Sequence, residues 1–243
     1  FKLAVKFFWG FRKTLGVKNL FSLALKFLPD VWLALTGGIP KLVLLAEFEG
    51  ENQKEVDGQI ERAREKLKGL NVKTIIANTQ EKAKKYWVMR RESFNLLRQR
   101  VKGKRTAPYI DDFVVRPEYL PEFMPKLYEI LDRYKLQYTI AGHVGDGNFH
   151  IIPLMKLKTE EEREKIFQSM DEVYKLILQY EGTLTGEHND GLIRSPYLKM
   201  MYGEKIYAIF EEIKKIFDPQ NIFNPGKKVG ATLQYAKEHI KIS

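Results

Sequence analysis

Three of the four histidines in this chain fall within two short windows. The first window contains His143 and His150, separated by a glycine-rich stretch. The second contains Glu187 followed directly by His188. Two imidazoles and one carboxylate can bind a divalent ion and leave a coordination position open, as a catalytic metal site requires. A single histidine is more often an ordinary polar residue, but the two windows together predict a metal site.

The first window has the residue pattern of a β-hairpin. Apolar runs flank Gly145–Asn148, whose residue types favour the positive φ angles of a tight turn. His143 would close the first strand, and Asn148 and His150 would open the second. Because Asn148 and His150 are two residues apart, their side chains should point to one face of the sheet. The hairpin would then place both imidazoles beside the carboxamide of Asn148.

Composition excludes several other kinds of site. The chain has no cysteine, which excludes disulfides, Cys-ligated zinc, iron–sulfur clusters and thiol catalysis. Its 41 Lys and Arg residues against 31 Asp and Glu residues give a net charge of +10, which favours an anionic partner such as a carboxylate substrate. The basic residues are dispersed among acidic ones, so we expect no nucleic-acid partner.

Strands and helices are mixed along the chain. Apolar and β-branched runs predict the two hairpin strands and four others, at Pro40–Phe48, Val72–Ala77, Tyr109–Val115 and Thr183–Glu187. Amphipathic spacing predicts helices at Glu51–Leu70, Thr79–Arg100, Leu120–Tyr134, Glu160–Tyr180 with a capping box at Thr159–Glu162, Tyr202–Phe217 and Leu233–Ile240. Residues 101–106 and 221–226 are predicted loops. The lack of regular strand–helix alternation favours an α+β fold with a mostly antiparallel sheet and helices packed on it.

The first 35 residues are predicted to form a separate helical segment. Phe1–Leu15 is apolar with interspersed basic residues, and it is too short and too charged to span a bilayer. It could pack on a neighbouring domain or lie on a membrane surface. We therefore expect a segment at residues 1–35, one main domain at residues 36–243, and a cytoplasmic protein, with peripheral attachment to a membrane as the alternative.

Three motifs in one order resemble a known family. The stretches His143–His150, Thr185–His188 and Phe217–Lys227 together resemble the C-terminal domain of FAD-linked oxidases, and the resemblance runs from about Leu42 to Val229. The group includes D-lactate dehydrogenase, the glycolate oxidase flavin subunit and D-2-hydroxyglutarate dehydrogenase. The resemblance implies the substrate-binding, or cap, domain of a vanillyl-alcohol-oxidase-type flavoprotein. It also implies that the FAD-binding domain is absent from this chain, so the chain alone should be inactive.

The same resemblance assigns roles to single residues. It implies that His143, His150 and Glu187 bind a divalent metal (Zn, Mn or Fe), and that His188 is the base that removes the substrate hydroxyl proton. The other implied roles are substrate binding by Arg90 and Asn148, and contact with the flavin side by the C-terminal segment that contains Asn224 and Lys227.

Four residues depart from the family pattern. Asn189 stands where the family usually has glycine, and asparagine tolerates positive φ, so we expect the turn to survive. Ile110 and Phe94 stand where the D-2-hydroxyglutarate enzyme has a lysine and a threonine for its substrate, which argues against a dicarboxylic substrate held in the same way. Arg116 replaces a common proline in a loop.

The implied reaction is oxidation of a 2-hydroxy acid to a 2-oxo acid, with hydride transfer to FAD. The implied partners are a small 2-hydroxy acid, an N-terminal FAD-binding domain or subunit, and an electron-transfer partner. Two alternatives remain open on the residues alone. The first is a metal-dependent hydrolase that uses the same three ligands and a bound water, and the second is a non-catalytic binding module that kept the fold.

Overall fold

The computed structural model describes residues 42–84, 86–88, 90 and 103–240. The chain divides into two compact units, Phe1–Leu97 and Arg98–Ser243. The predicted helical segment at residues 1–35 lies outside the described residues, so the domain boundary at residues 35 and 36 stays a prediction.

The first unit contains helix α1, Gln53–Leu67. Asn52 caps it by accepting a hydrogen bond from the backbone N–H of Glu55 at 3.1 Å, which satisfies one of the donors that a helix N-terminus leaves unpaired. Val56 and Ile60 are only half-buried, as expected for an exposed amphipathic helix. Residues 80–84, 86–88 and 90 are also helical, in agreement with the prediction for that stretch.

Two strand predictions in the first unit are wrong. Residues 42–48 and 72–77 have no strand structure, and the side chains of Leu42 and Leu44 are 61% and 67% exposed. An apolar run specifies a strand only where a neighbouring strand supplies backbone hydrogen-bond partners. Among the described residues, neither stretch pairs with a strand, and periodicity alone carries no information about pairing.

The second unit is built on an antiparallel sheet of β1 (Arg105–Thr106), β2 (Ile110–Val114), β3 (Tyr138–His143) and β4 (Asn148–Met155). Strand β4 pairs antiparallel with the other three, with β1 and β2 along one edge and β3 along the other. The predicted basic loop therefore ends in a short strand. The α+β fold class and the antiparallel sheet are confirmed.

Helices α2 (Leu120–Arg133) and α3 (Glu160–Gln179) pack on this sheet. In α2, Phe123, Leu127 and Leu131 recur every four residues and are fully buried, each 0% exposed. The Phe123 ring lies 5.7 Å from that of Phe113 on β2. Burial of each such side chain contributes about 1.5–3 kcal/mol, so this stripe fixes the helix against the strands that carry the site.

The start of α3 agrees with the prediction, but its capping box does not form. The carboxylate of Glu162 accepts from the backbone N–H of Lys156 at 3.3 Å, and the Thr159 hydroxyl donates to the Lys156 carbonyl at 3.2 Å. Both side chains thus stabilise the turn before the helix. The reciprocal bonds between Thr159 and Glu162 that the motif predicts are replaced by bonds to Lys156.

Three helices follow: α4 (Gly191–Arg194), α5 (Leu198–Phe217) and α6 (Leu233–Glu238). The backbone of α5 is interrupted at Gly203, where φ is 78°. Helix α5 starts earlier than predicted but ends, as predicted, before Asp218, and residues 221–226 are irregular as expected. Within the described residues, no helix has the length and apolar character needed to cross a membrane.

Candidate metal centre

The predicted hairpin positions the first two candidate ligands. Strand β3 ends at His143 and β4 begins at Asn148, and these two residues are cross-strand partners. The connection is a 3-10 turn, Val144–Asp146, and Gly147 alone in this turn has positive φ, at 68°. A side chain at Gly147 would place its Cβ 1.8 Å from the carbonyl oxygen of Val115. The turn therefore needs glycine at this one position, whereas the whole Gly145–Asn148 run was predicted to supply positive φ.

Glu187 meets both hairpin histidines, as predicted. Its Oε1 lies 3.1 Å from Nε2 of His143, and its Oε2 lies 3.9 Å from Nε2 of His150. One ligand atom from each of the three residues lies within 4.8 Å of the others. Ligand atoms about 2.0–2.1 Å from a tetrahedral zinc ion are roughly 3.3 Å apart, so these donors fit a divalent ion with little movement.

The three candidate ligands differ in exposure. The side chain of His150 is 13% exposed, while those of His143 and Glu187 are 39% and 46% exposed. The two imidazole planes are nearly perpendicular, at 89°, with ring centres 5.7 Å apart. His150 therefore anchors the site in the protein, and the other two side chains border a side that is open to a ligand.

Glu187 and His188 stand on a loop that a buried aspartate organises, a feature absent from the sequence predictions. The carboxylate of Asp112 accepts hydrogen bonds from the backbone N–H groups of Gly186, Glu187 and His188 at 3.0, 2.8 and 2.8 Å. It also accepts one from the Thr185 hydroxyl at 2.9 Å. Burial alone would raise the pKa of Asp112, but these hydrogen bonds lower that pKa to about 2.

A β-bulge at Asp112 explains how this carboxylate reaches the loop. The register between β2 and β4 shifts between Asp111 and Phe113, and Asp112 has a φ of 76°. A bulge inserts one extra residue and redirects its side chain, so two adjacent aspartates can both serve the site. Two neighbouring acidic residues inside an otherwise apolar strand were the signal for this arrangement in the sequence.

The strand predicted at Thr183–Glu187 does not form, because the same hydrogen bonds to Asp112 hold this stretch as a loop. Only Thr183 pairs with the sheet, through a single bridge to Val114 in which the two N–H···O distances are both 2.9 Å. After this bridge the chain leaves the sheet and wraps around Asp112. The alternating threonines predict a strand, but the buried carboxylate provides stronger acceptors for the same backbone N–H groups.

His188 lies beside the three candidate ligands. Its Nε2 is 3.5 Å from Oε2 of Glu187, and its ring stacks on that of His150 with centres 4.9 Å apart and planes 9° apart. Asp111 lies behind both rings, 2.8 Å from Nδ1 of His150 and 3.4 Å from Nδ1 of His188. The hydrogen bond with Asp111 raises the pKa of His150.

Asn148 is only 4% exposed, next to Asp112. Its amide nitrogen donates to Oδ1 of Asp112 at 3.2 Å and, more weakly, to the Phe113 carbonyl at 3.4 Å. Its Oδ1 is buried and has no hydrogen-bond partner among the described residues. The amide nitrogen is thus committed to the aspartate network.

Three further predicted residues belong to other parts of the chain. Arg90 belongs to the first compact unit, where its guanidinium lies 5.6 Å from the ring centre of Trp87. Asn224 and Lys227 form an exposed turn in which the Lys227 N–H donates to the Asn224 carbonyl at 3.2 Å. Their roles toward substrate and flavin stay predictions.

Three of the four residues that depart from the family pattern lie in the described part of the chain. Asn189 adopts a φ of 64°, as expected for a residue that replaces glycine in a turn. Ile110 is 1% exposed and is part of the core. Arg116 pairs with Glu181 at 2.7 Å. Phe94 lies outside the described residues.

The second unit is an α+β domain with an antiparallel sheet and helices packed on it. Its candidate metal centre combines two histidines on one hairpin with a Glu-His pair on an adjoining loop. Residues 38–228 match the family described as FAD linked oxidases, C-terminal domain. The chain belongs to this family.

Curated relatives agree with the family match. D-2-hydroxyglutarate dehydrogenase of Haemophilus influenzae is 30% identical over 194 residues, which cover 75% of this chain and 18% of the relative. The Pseudomonas putida protein of the same name is 33% identical over 188 residues, which again cover 75% of this chain and 18% of the relative. Glycolate oxidase subunit GlcD of Bacillus subtilis is 29% identical over 198 residues, which cover 78% of this chain and 40% of the relative. The chain therefore spans well under half the length of these relatives.

Proposed function

We propose that this chain is the substrate- and metal-binding part of an FAD-dependent enzyme that oxidises a 2-hydroxy acid to a 2-oxo acid. Membership of the FAD-linked oxidase family supports the cofactor. The relatives are named for 2-hydroxyglutarate and glycolate, which are both 2-hydroxy acids. The observation that carries the proposal is the convergence of His143, His150 and Glu187 within 4.8 Å.

The chain would hold its metal through Nε2 of His143, Nε2 of His150 and the carboxylate of Glu187. Imidazole and carboxylate donors suit zinc, manganese or iron, and these are the ions we propose. A bound ion supplies Lewis-acid chemistry, which lowers the pKa of a coordinated hydroxyl group. The half-exposed side chains of His143 and Glu187 leave room for that hydroxyl at the open side of the site.

His188 would act as the base. Its side chain is 47% exposed and borders the candidate ligands, so a substrate hydroxyl at the open side would be within its reach. An imidazole accepts a proton efficiently near neutral pH, and general-base catalysis of this kind contributes about 10²–10⁴-fold. The proton from the hydroxyl would pass to Nε2 of His188, while FAD supplies the acceptor for the C2 hydride.

Arg90 and Asn148 are the proposed substrate contacts. A guanidinium offers a planar pair of donors that matches a carboxylate, which suits Arg90 to the acid group of the substrate. Asn148 contributes the buried, unpartnered Oδ1, an acceptor for a substrate hydroxyl. Ile110 is buried and uncharged, so it offers no cation for a second carboxylate, and we favour a monocarboxylic substrate.

An FAD-binding domain or subunit is the proposed partner, with an electron-transfer partner beyond it. Asn224 and Lys227 would face the flavin side. The neighbouring helix α5 carries an apolar stripe at helical spacing, Ile206, Ile209, Ile213 and Ile216, which is 43–72% exposed. Exposed apolar surface of this kind marks interaction sites and supports a partner on this side. We also propose residues 36–243 as the family domain and residues 1–35 as a helical segment that contacts the flavin domain.

Metal binding is the decisive test. Titration of the metal-stripped chain with Zn²⁺, Mn²⁺ and Fe²⁺ should show saturable binding of at least one ion. His143→Ala should weaken this binding by more than the roughly 10–100-fold that loss of a residue bonded to a ligand causes. His239→Ala is the matched control, because His239 is the fourth histidine and bonds through Nδ1 to the Tyr235 carbonyl on α6 at 2.8 Å.

Two results would count against the proposal. A wild-type chain that binds none of the three ions would remove the metal centre, and equal losses in the His143 and His239 variants would show that binding is unspecific. Turnover of esters or amides by the metal-loaded chain without flavin would favour the hydrolase alternative.

A further inference from the structure

Asp111 stands directly opposite His150 in the sheet. The two residues are register partners between β2 and β4, and directly opposed residues of an antiparallel pair project to the same face with short Cβ separations. Oδ1 of Asp111 and Nδ1 of His150 lie 2.8 Å apart. Both side chains are largely buried, at 14% and 13% exposed, so water competes little for this bond.

The second oxygen of the same carboxylate faces the second imidazole. Oδ2 of Asp111 lies 3.4 Å from Nδ1 of His188. The rings of His150 and His188 are nearly parallel, at 9°, with both Nδ1 atoms beside Asp111 and both Nε2 atoms on the other side. On that other side lies Oε2 of Glu187, 3.9 Å from Nε2 of His150 and 3.5 Å from Nε2 of His188. One carboxylate therefore borders each edge of the stacked pair.

We propose that Asp111 is a positioning residue that fixes the tautomer and orientation of the His150 imidazole. A neutral imidazole has one donor nitrogen and one acceptor nitrogen, whereas a carboxylate only accepts. His150 is 2.8 Å from Asp111 on its Nδ1 side and 3.9 Å from Glu187 on its Nε2 side. Its proton therefore resides on Nδ1, and the lone pair of Nε2 is left free for a metal ion.

The hydrogen bond has a known energetic consequence for metal sites. A ligating histidine that donates its second N–H to a carboxylate binds more strongly, and loss of the carboxylate typically costs about 10–100-fold in affinity. A role of Asp111 in catalysis rests on the proposed function, but its effect on the tautomer of His150 does not.

The backbone around Asp111 holds the carboxylate in place. The guanidinium of Arg194 donates from Nη1 to the Asp111 carbonyl at 2.7 Å and from Nη2 to the Asn189 carbonyl. Arg194 is 6% exposed and so ties β2 to the loop that carries His188. The bulge at Asp112 lets Asp111 keep its place opposite His150 while its neighbour reaches the loop backbone.

A second geometry must be distinguished from this one. Asp111, His150 and His188 also form a group whose ligand atoms lie within 4.8 Å of one another. An ion bound there would take Nδ1 of His150 and an oxygen of Asp111 as direct ligands. The proposal instead keeps Nδ1 protonated and assigns Nε2 of His150 to the ion, so the two geometries predict opposite ring nitrogens.

Nitrogen-15 NMR of the histidine rings separates the possibilities. In the metal-free chain, above the pH at which the imidazoles titrate, His150 should be the Nδ1–H tautomer, and addition of Zn²⁺ should shift Nε2. Asp111→Ala should return His150 to the tautomer mixture of a free imidazole and weaken Zn²⁺ binding by about 10–100-fold. Asp146→Ala is the matched control, since this exposed aspartate in the hairpin turn should change neither measurement.

Three outcomes would overturn the proposal. They are an Nε2–H tautomer of His150 in the wild-type chain, a Zn²⁺-induced shift at Nδ1, and an Asp111 variant with wild-type tautomer and affinity. The first needs no variant, so it decides the matter even if Asp111→Ala does not fold. A wild-type chain with the expected tautomer that binds no ion would remove the proposed function and leave the positioning role of Asp111 intact.

Discussion

The loop Thr185–His188 and the C-terminal segment that follows α5 are both irregular, and one aspartate organises each of them. Asp112 accepts from three backbone N–H groups that lie 74–76 residues away in the chain. Asp218 accepts from the backbone N–H groups of Ile222 and Phe223 at 2.8 and 2.9 Å, only four and five residues away. The same chemistry therefore serves a long-range tie in one region and a local turn in the other.

The two regions differ in what their conformation depends on. The loop that carries Glu187 and His188 holds its shape only while β2 is folded, because Asp112 belongs to that strand. The turn at Ile222 and Phe223 is held by Asp218 at the end of its own helix, and these two apolar side chains stay exposed, at 64% and 68%. The long-range bonds preorganise the loop that carries Glu187 and His188, whereas the local turn leaves apolar side chains exposed.

The largest effect is expected from Asp112→Ala. Asp112 is 0% exposed. Its replacement by alanine leaves the N–H groups of Gly186, Glu187 and His188 without their acceptor. Asp112 also faces the buried guanidinium of Arg194 at 3.9 Å. Removal of one partner of a buried ion pair costs about 3–5 kcal/mol, and urea denaturation should show a loss of this size. Zn²⁺ affinity should fall at the same time, because Glu187 is no longer held. A loss below about 1 kcal/mol would contradict the long-range tie.

A smaller effect on folding, but a clear one on the site, is expected from Gly186→Ala. The new Cβ would lie 2.8 Å from Nδ2 of Asn148 and 2.8 Å from Cγ2 of Val114. Such overpacking costs typically about 1–3 kcal/mol, and the loop must move away from Asp112, which should weaken metal binding. Gly145→Ala is the control, because a Cβ there meets nothing within 4 Å. Equal metal affinity in both variants would show that the loop adapts without cost to the site.

The same difference between local and long-range contacts separates the elements that could be predicted from the sequence from those that could not. The hairpin, α2 and the irregular C-terminal segment depend on local signals, namely turn residues, apolar residues at helical spacing and Asp218-Pro219 after a helix. These predictions agree with the structure. The proximity of His143 and His150 was predictable because one hairpin carries both, and that of Glu187 because its window matches a family motif.

The remaining features depend on contacts between distant parts of the chain. The role of Asp112 could not be predicted because its partners are 36–76 residues away and because a bulge has no simple residue pattern. The strand predicted at Thr183–Glu187 was wrong for the same reason. At residues 42–48 and 72–77, the apolar and β-branched patterns gave no indication of whether a pairing strand was available.

Asp218→Ala tests whether the turn after α5 is independent of the candidate metal centre. The C-terminal segment should lose the two hydrogen bonds from Ile222 and Phe223 and the ion pair with Lys214, and the end of α5 should fray. Because the N–H groups of this exposed segment can bond to water, the loss of unfolding free energy should be smaller than for Asp112→Ala. Zn²⁺ affinity should stay at the wild-type value. A variant that lost metal affinity would show that the two regions are coupled.

The smallest effect is expected from Ile216→Gln on α5. Ile216 is 72% exposed, so its replacement by a polar helix former removes little buried apolar area, and the free energy of unfolding should change by no more than about 0.5 kcal/mol. Leu127→Ala on α2 is the contrast, because Leu127 is 0% exposed and such a truncation costs about 2–5 kcal/mol. Chemical denaturation of the two variants measures both values. A cost above about 1 kcal/mol for Ile216→Gln would mean that the stripe already stabilises this chain, whereas a negligible cost would agree with an apolar surface that is free to bind the proposed FAD-binding partner.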